Sequence, residues 1–230
     1  MKRFTDFLAS FIGLIIITPI ILPIIILVWL QDFKLPFYVS YRTGKDGIQF
    51  KMIKLRSMIV NADKSGVDST SSDDKRITRV GRFIRKFKLD ELSQLWNVLI
   101  GDMSLVGPRP NVKKETDLYT LDEKDLLKVR PGITDFSSIV FSDEGEILES
   151  KEDPDLAYNQ LIRPWKSRLG LIYIEKQSLL LDMQLIIYTL IAILSREKVL
   201  NWIALKLETY GVDQDIILVS KRVKDLYPHP

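Results

Sequence analysis

The chain has 230 residues, a net charge of +3 and an apolar fraction of 46%. This length allows one large domain, or one domain with a membrane element, and the small net charge does not indicate a nucleic-acid partner. Cysteine is absent, which excludes disulfides, thiolate metal sites and cysteine nucleophiles. The only histidine is His229, so acid–base chemistry is expected to fall to carboxylates.

The first element is a hydrophobic segment over residues 8–30, which contains no charged side chain. At about 1.5 Å per residue, a helix of this length can cross a bilayer. A cleaved signal peptide fits less well, because the apolar run is long and no small-residue cleavage site follows it. The segment is therefore expected to remain in the membrane.

Two prolines interrupt this segment. Thr18-Pro19 lies near its middle, and Pro23 follows one helical turn later. Each proline removes a backbone donor, so we expect a bend that the Thr18 hydroxyl stabilises by bonding the freed carbonyls. Both flanks are basic, so the positive-inside rule assigns no orientation. These features favour a re-entrant hairpin with both flanks on the cytoplasmic side, although a plain transmembrane helix also fits.

Residues 36–60 follow, and they alternate in part between apolar and polar side chains. Gly44 and Gly47 separate two short runs, which predicts a β-hairpin. Three of its members are basic: Arg42, Lys54 and Arg56. These cations either contact a ligand or form a solvated, positively charged face beside lipid headgroups, and both interpretations fit equally well.

Residues 77–88 form an amphipathic pattern. Four basic side chains recur at helical spacings of three and four: Arg79, Arg82, Arg85 and Lys86. An apolar stripe lies opposite them, which predicts a helix. This helix either faces solvent and headgroups or, at Arg85, contacts a phosphate.

An acidic pair and a rigid turn come next. Residues 89–100 are expected to continue as a helix, with Asp90 and Glu91 adjacent in its first turn and rotated by about 100° from each other. Acids in a first turn also complement the helix dipole without any catalytic role. The turn 107–110 holds Arg109 between two prolines that fix φ, so its guanidinium can be aimed at a phosphate at little entropic cost.

The remaining chain contributes a second Arg-Pro turn at Arg130, an irregular stretch over 135–168 and an apolar, helix-compatible stretch over 169–198. Charged residues within the last of these argue against a lipid-spanning segment. Asp182 in this apolar setting is expected to have a partner such as an arginine. Acidic pairs at Asp73-Asp74 and Asp153-Pro154-Asp155 lie in polar loops, which does not favour a metal site there.

Five short motifs carry a resemblance to a known family: Leu89-Asp90-Glu91-Leu92, Gln94-Leu95, Asn97-Val98-Leu99, Gly101-Asp102-Met103-Ser104 and Val106-Gly107-Pro108-Arg109-Pro110. Together they resemble the bacterial sugar transferases, the small monotopic phosphoglycosyl transferases of cell-surface glycan assembly. The resemblance runs from the N-terminal segment to about residue 195. Thr18-Pro19 looks like the Ser-Pro of the re-entrant helix in that family.

The resemblance implies a reaction in which a sugar-1-phosphate moves from a UDP-sugar to undecaprenyl phosphate and UMP is released. It implies that Asp90 is the nucleophile of a covalent phosphosugar intermediate, with Glu91 beside it and Mg2+ held by this pair. The acid of the family's final helix falls on Asp182. The candidate phosphate ligands are Arg56, Arg85, Arg109 and Arg130.

The expected fold is α/β and α-rich. A re-entrant membrane helix covers residues 1–33, and a small cytosolic catalytic domain with a β-hairpin and interfacial amphipathic helices covers 34–200. A helical extension over 201–230 is expected to pack on the domain or the membrane surface. The expected location is the cytoplasmic face of a bacterial inner membrane, with UDP-sugar, undecaprenyl phosphate and membrane lipid as partners; a homodimer is allowed.

Two rival functions fit part of the pattern. One is a polyprenyl-phosphate glycosyltransferase that inverts the sugar and releases UDP, and the other is a non-catalytic membrane-anchored scaffold. Three positions depart from the family: Ser93 replaces a proline, Ser40 replaces a glutamine, and residues 135–144 replace a segment expected near the sugar nucleotide. The identity of the sugar is therefore not predicted, and specificity is expected to lie after Thr134.

Overall fold

A computed structural model describes residues 1–67, 69–223 and 226–227; His229 lies outside them. The strands are β1 (Phe37–Thr43), β2 (Gln49–Leu55), β3 (Ser104–Val106) and β4 (Gly132–Thr134). The first helices are α1 (Lys2–Leu30), α2 (Arg79–Lys86), α3 (Leu89–Leu92), α4 (Leu95–Ile100) and α5 (Lys113–Thr116). The later helices are α6 (Phe136–Val140), α7 (Glu144–Ile147), α8 (Pro154–Ala157), α9 (Arg163–Lys176), α10 (Leu179–Thr209) and α11 (Gln214–Lys221). The fold is thus α/β and rich in helix, as predicted.

Helix α1 runs through both prolines as one element. The Thr18 hydroxyl donates a hydrogen bond to the carbonyl of Leu14 at 2.6 Å. Pro19 has no N–H, so it leaves the Ile15 carbonyl without its usual helical donor. The Leu14 carbonyl that Thr18 bonds lies one residue earlier. The expected threonine bond therefore forms, but to the neighbouring carbonyl. The helix is long and apolar enough to cross a membrane by length and composition, as is α10.

The two ends of α1 pack against the same domain. Near the start, the buried Asp6 carboxylate accepts hydrogen bonds from the Ser104 hydroxyl at 2.8 Å and the Leu105 amide at 3.0 Å. Near the end, Ile24 and Val28 form a buried apolar cluster with residues of β2 and α2. The middle of the helix is exposed. The membrane segment therefore contributes to the packing of the domain at both of its ends.

Asp182 has two partners in this part of the structure. Its carboxylate accepts a hydrogen bond from the Lys2 ammonium at 2.5 Å and another from the Tyr173 hydroxyl at 2.6 Å. A buried carboxylate without such partners would be strongly destabilising. The expected partner of Asp182 is thus present, but it is a lysine from the first turn of α1 rather than an arginine.

Strands β1 and β2 form the predicted antiparallel hairpin, in which Ser40 lies opposite Met52 and Arg42 opposite Phe50. Directly opposed residues share one face of an antiparallel pair, and side chains alternate along each strand. Phe50 and Met52 are buried, so their face points into the domain. Lys54 continues this inward face at the end of β2.

The predicted helix over 89–100 is divided in two. Lys88 adopts a left-handed conformation before α3, with φ 53°, and Ser93 and Gln94 separate α3 from α4. The Asn97 amide, buried rather than solvent-facing, donates to the Lys51 carbonyl at 2.7 Å and accepts from the Ile53 amide at 3.0 Å. Helix α4 therefore docks on β2 through this buried amide.

Strands β3 and β4 form a short parallel pair. The Gly132 amide donates to the Pro108 carbonyl at 2.9 Å, and the Gly107 amide donates to the Thr134 carbonyl at 2.9 Å. The backbones approach so closely that a Cβ on Gly132 would lie 2.1 Å from the Gly107 nitrogen. This contact fixes the turn that carries Arg109.

The main hydrophobic core joins α6, α9, α10 and α11 around Trp165 and Phe136. Helix α10 is interrupted at Ser195, with φ −149° and ψ 72°, and then continues to Thr209. The boundary predicted at residue 200 thus falls inside a helix. Ile203 and Leu207 of that helix are completely buried in the same core as Phe136, so the segment after residue 200 is part of the packed domain.

Candidate active site

Asp90 and Glu91 lie side by side on α3 but have different surroundings. Glu91 accepts a hydrogen bond from the Arg109 guanidinium at 2.6 Å. Among the described residues, the Asp90 carboxylate has no hydrogen-bond or salt-bridge partner of its own. One acid is therefore fixed by a cation, while its neighbour is open to a ligand.

The inward face of the hairpin supplies two cations that lie near this pair. Lys54 interacts electrostatically with Asp90, Glu91 and Arg109, and burial lowers the pKa of its ammonium to about 8. Burial also lowers the pKa of Arg42, which interacts with Arg109. Within the described ranges, the buried Arg42 Nε and Ser40 hydroxyl lack hydrogen-bond partners. Buried polar atoms normally find a partner, so this face is suited to an anionic ligand.

The last turn of α2 and the connection to α3 add two further cations, Arg85 and Lys88. The Arg85 Nε donates to the Ser57 hydroxyl at 3.1 Å, which orients the guanidinium. Burial lowers the pKa of Arg85, and the charge of Asp90 opposes that shift. Burial likewise lowers the pKa of Lys88, which the charge of Glu91 opposes. Arg85 thus interacts electrostatically with Asp90, while its predicted contact with a phosphate stays a prediction.

The pKa values of the two carboxyl groups are shifted in opposite directions. Burial raises the pKa of Asp90, and Lys54 only partly offsets this effect. Burial would also raise the pKa of Glu91, but Arg109, Lys88 and Lys54 together lower it. Opposed shifts in a pair of adjacent acids are typical of sites that assign them separate roles.

A third side of the site comes from the stretch after Thr134. The Lys166 ammonium forms an ion pair with the Glu144 carboxylate and lies 5.4 Å from the centre of the Tyr158 ring. Glu144 interacts electrostatically with Arg109 and Lys54. The adjacent Gly145 carbonyl accepts from the amide of Ser72, in the polar loop over 61–76. Glu144, which lies in the segment expected to set specificity, therefore interacts with cations that surround the acid pair.

The structure does not bring two predicted arginines to this site. Arg56 forms an ion pair with Asp32 at 2.5 Å and donates to the Leu35 carbonyl at 2.9 Å, so it joins β2 to the end of α1. Arg130 is exposed and donates to the carbonyl of Gly101 at 2.9 Å. These contacts place both side chains at structural junctions rather than beside Asp90.

Sequence reasoning missed Lys88 and Glu144 as members of the site, and it left Lys54 between a ligand contact and a solvated face. A signal existed for Lys54, because it continues the alternation of the apolar residues Phe50 and Met52 and so had to point inward. No comparable local signal exists for Glu144, whose position depends on the packing of α7 against distant elements.

A family model and several known proteins match this chain. The family model described as bacterial sugar transferase matches residues 1–196. A candidate undecaprenyl-phosphate N-acetylgalactosaminyl 1-phosphate transferase of Bacillus subtilis (strain 168) is 47% identical over 110 residues, which are 48% of this chain and 62% of that protein. The UDP-glucose:undecaprenyl-phosphate glucose-1-phosphate transferase of Klebsiella pneumoniae is 38% identical over 177 residues, 74% of this chain and 37% of that protein.

A third relative is the UDP-N-acetylgalactosamine-undecaprenyl-phosphate N-acetylgalactosaminephosphotransferase of Aeromonas hydrophila. It is 33% identical over 170 residues, which are 72% of this chain and 40% of that protein. The chain spans less than two thirds of the length of each of these three relatives. The family match covers most of the chain, including α1 and every residue of the acid and cation cluster, and it confirms the resemblance seen in the sequence motifs. The chain belongs to the bacterial sugar transferase family.

Proposed function

We propose that this chain is a phosphoglycosyl transferase that moves a sugar-1-phosphate from a UDP-sugar to undecaprenyl phosphate and releases UMP. The observation that carries the proposal is the contrast between Asp90 and Glu91. An unpartnered carboxylate surrounded by cations is placed to attack a phosphoryl group, while its neighbour is fixed by Arg109. The names of the relatives, which include sugar-phosphate transferases acting on undecaprenyl phosphate, support the same reaction class.

The reaction is proposed to proceed in two displacements. An Asp90 oxygen attacks the phosphorus that carries the sugar, and the bond from that phosphorus to the bridging oxygen breaks, so UMP leaves with the electron pair. The product is an acyl-phosphate that joins Asp90 to the sugar phosphate. A phosphate oxygen of the lipid then attacks the same phosphorus, which restores the Asp90 carboxylate and forms the lipid diphosphate sugar.

The surrounding cations are proposed to bind and stabilise the phosphates. Lys54, Arg42 and Arg85 bring positive charge to the open side of Asp90. Arg109 remains paired with Glu91 and is positioned by its proline-locked turn. Fixed charges that are already oriented stabilise the transferring group without reorganising during the reaction.

Mg2+ is proposed as the cofactor. It usually takes one or two protein carboxylates together with substrate phosphate oxygens, so a site with three protein carboxylates is not required. The open Asp90 carboxylate and the free oxygen of Glu91 fit this donor set, and a bound Mg2+ would neutralise charge on the diphosphate. Within the part of the chain that the structure describes, there is no cluster of three metal-ligating side chains.

We propose that α1 is re-entrant and that the domain lies on the cytoplasmic face of a bacterial inner membrane. Asp6 near the start of the helix and Val28 near its end both contact the same domain, which supports a common side for the two flanks. Such a helix would hold Asp90 at the headgroup plane, where a polyprenyl phosphate presents its anion.

Product analysis tests the reaction. The full chain in lipid would be incubated with undecaprenyl phosphate, Mg2+ and, separately, UDP-glucose, UDP-galactose and UDP-N-acetylgalactosamine. Release of UMP is expected with at least one donor. Release of UDP would instead establish the inverting glycosyltransferase, and lipid binding without any nucleotide product across a full donor panel would establish the scaffold.

A further inference from the structure

The site wall formed by Glu144 is held from the far side by two arginines. Asp143, the residue before Glu144, forms ion pairs with Arg196 at 2.8 Å and with Arg222 at 3.1 Å. Arg196 also donates to the Val140 carbonyl at 2.7 Å, and the Arg222 guanidinium lies 5.7 Å from the ring centre of Phe141. We refer to Arg196, Asp143 and Arg222 as the Asp143 clamp.

The clamp cations come from the part of the chain where the family match ends. Arg196 is the last matched residue, and Arg222 lies beyond it. The interruption of α10 at Ser195 comes directly before Arg196. Arg222, which has a left-handed φ of 56°, directly follows α11. We refer to residues 196–223 as the C-terminal segment.

The C-terminal segment is itself firmly held, so it can act as a support. Ile203 and Leu207 of α10 and Ile217 of α11 are buried in the main core. The clamp side chains are also mostly buried, with exposed fractions of 14% for Asp143 and 17% for Arg222. Removing one partner from a buried charge pair leaves the other uncompensated, so these contacts are expected to resist displacement.

The clamp and the site meet at consecutive residues. Asp143 points to the C-terminal segment, whereas Glu144 pairs with Lys166, which lies against Tyr158. Both acids belong to residues 135–144, the stretch that departs from the family pattern. The Glu144 wall and a segment beyond the family match are therefore joined by direct contacts.

We propose that the C-terminal segment positions the sugar-nucleotide wall of this site, because Arg196 and Arg222 hold Asp143 and thereby fix Glu144 opposite Arg109 and Lys54. The inference rests on the proposed function for its kinetic consequence. Asp90 and Lys54 are carried by α3 and β2, which the clamp does not touch. Loss of the clamp is thus expected to weaken donor binding while leaving the chemical step nearly intact.

The test compares Arg222→Ala with Lys221→Ala, which removes a neighbouring cation that pairs with Glu208 at 3.1 Å instead of Asp143. Arg222→Ala is expected to raise the KM for the best UDP-sugar donor by roughly tenfold, since a wall that binds the donor equally in the ground and transition states affects KM alone. The kcat should change by less than about twofold, and Arg222→Lys should restore part of the loss. Lys221→Ala should leave both constants unchanged.

A double variant separates positioning from general destabilisation. In a Glu144→Gln background, Arg222→Ala is expected to raise KM no further, because the two residues act through one wall. The proposal would be overturned if the effects of Glu144→Gln and Arg222→Ala on KM multiply. It would also be overturned if Arg222→Ala leaves KM unchanged and lowers kcat by the factor expected for KM. If Arg222→Ala does not fold, Asp143→Asn provides the same comparison, since it removes the charge and keeps the size.

Hydrogen exchange tests the clamp without relying on turnover. Faster amide exchange over residues 143–149 is expected in Arg222→Ala but not in Lys221→Ala, and equal exchange would overturn the positioning. If no donor yields UMP with the unaltered chain, the proposed reaction fails while the exchange result still decides the clamp. If UMP is released but KM does not respond to Arg222→Ala, the inference fails and the proposed reaction stands.

Discussion

Arg109 donates a hydrogen bond to Glu91 at 2.6 Å, and this contact joins the proline-locked turn to the acid pair. The ion pair lowers the pKa of Glu91 against the effect of burial, whereas burial raises the pKa of Asp90. Glu91 is thus held in an ion pair, whereas the adjacent Asp90 carboxylate has no such partner among the described residues.

Replacement of the open acid should remove activity without unfolding the protein. Asp90→Asn is expected to reduce UMP release by roughly a thousandfold or more, which is the usual cost of losing a nucleophile. Its unfolding midpoint should stay close to that of the unaltered chain, because no ion pair is broken. The measurement is single-turnover UMP release beside thermal unfolding. Normal turnover in a folded Asp90→Asn protein would exclude Asp90 as the nucleophile.

Removal of Arg109 should instead affect stability as well as activity. Arg109→Ala leaves Glu91 without its guanidinium partner, and the free energy of unfolding is expected to fall by about 2 kcal/mol. Adding Glu91→Gln should recover part of that loss, because the uncompensated charge disappears. Denaturant unfolding of the single and double variants measures the effect. Strict additivity of the two substitutions would show that the pair is not coupled.

Activity should depend on the charge of Lys54. Its pKa is lowered by burial to about 8, so the ammonium is charged below that pH and loses its proton as the pH rises through it. We expect KM for the UDP-sugar to rise on the alkaline side of this value. In Lys54→Arg the guanidinium stays charged, so the alkaline rise in KM should disappear or move to higher pH. The same profile in both proteins would assign the titration to another group.

The close approach of β3 and β4 should not tolerate a methyl group. In Gly132→Ala, the new Cβ would lie 2.1 Å from the Gly107 nitrogen, so the two backbones must separate. A loss of about 3 kcal/mol in unfolding free energy is expected, together with reduced UMP release as the Arg109 turn shifts. Gly13→Ala is the control, because its Cβ would meet only the end of the Leu95 side chain at 3.2 Å.

The topology of α1 can be measured independently of catalysis. If both flanks are cytoplasmic, the exposed side chains in Thr5→Cys and Lys34→Cys should both resist a membrane-impermeant thiol reagent in intact cells. Both should react after the membrane is permeabilised. The chain has no native cysteine to interfere. Labelling of Thr5→Cys in intact cells would show that α1 is a plain transmembrane helix.

Much of the architecture could be predicted from local patterns. The glycines between two alternating runs identified the hairpin, and prolines on both sides of Arg109 identified a rigid turn. The division of 89–100 into two helices could not be predicted, because it depends on Asn97 docking against β2 through bonds to residues about forty positions earlier. Local helical periodicity contains no information about that contact.

Only part of the candidate site could be predicted from the sequence, for the same reason. Motif spacing grouped four of its residues, because one short stretch contains Arg85, Asp90, Glu91 and Arg109. Glu144 approaches this stretch through tertiary packing alone. Arg56 illustrates the opposite error: its basic character suited a phosphate, but Asp32 at the exit of α1 satisfies its guanidinium.

The hydrogen bonds from Asp6 to Ser104 and Leu105 have a practical consequence for inhibitor discovery. These bonds hold β3, the strand that leads into the Arg109 turn. A truncated protein without α1, made for convenience in water, would lose them and would also uncover Leu55 and Ile84. Compounds selected against such a protein would be selected against a deformed Arg109 turn, so screening should use the whole chain in a bilayer disc.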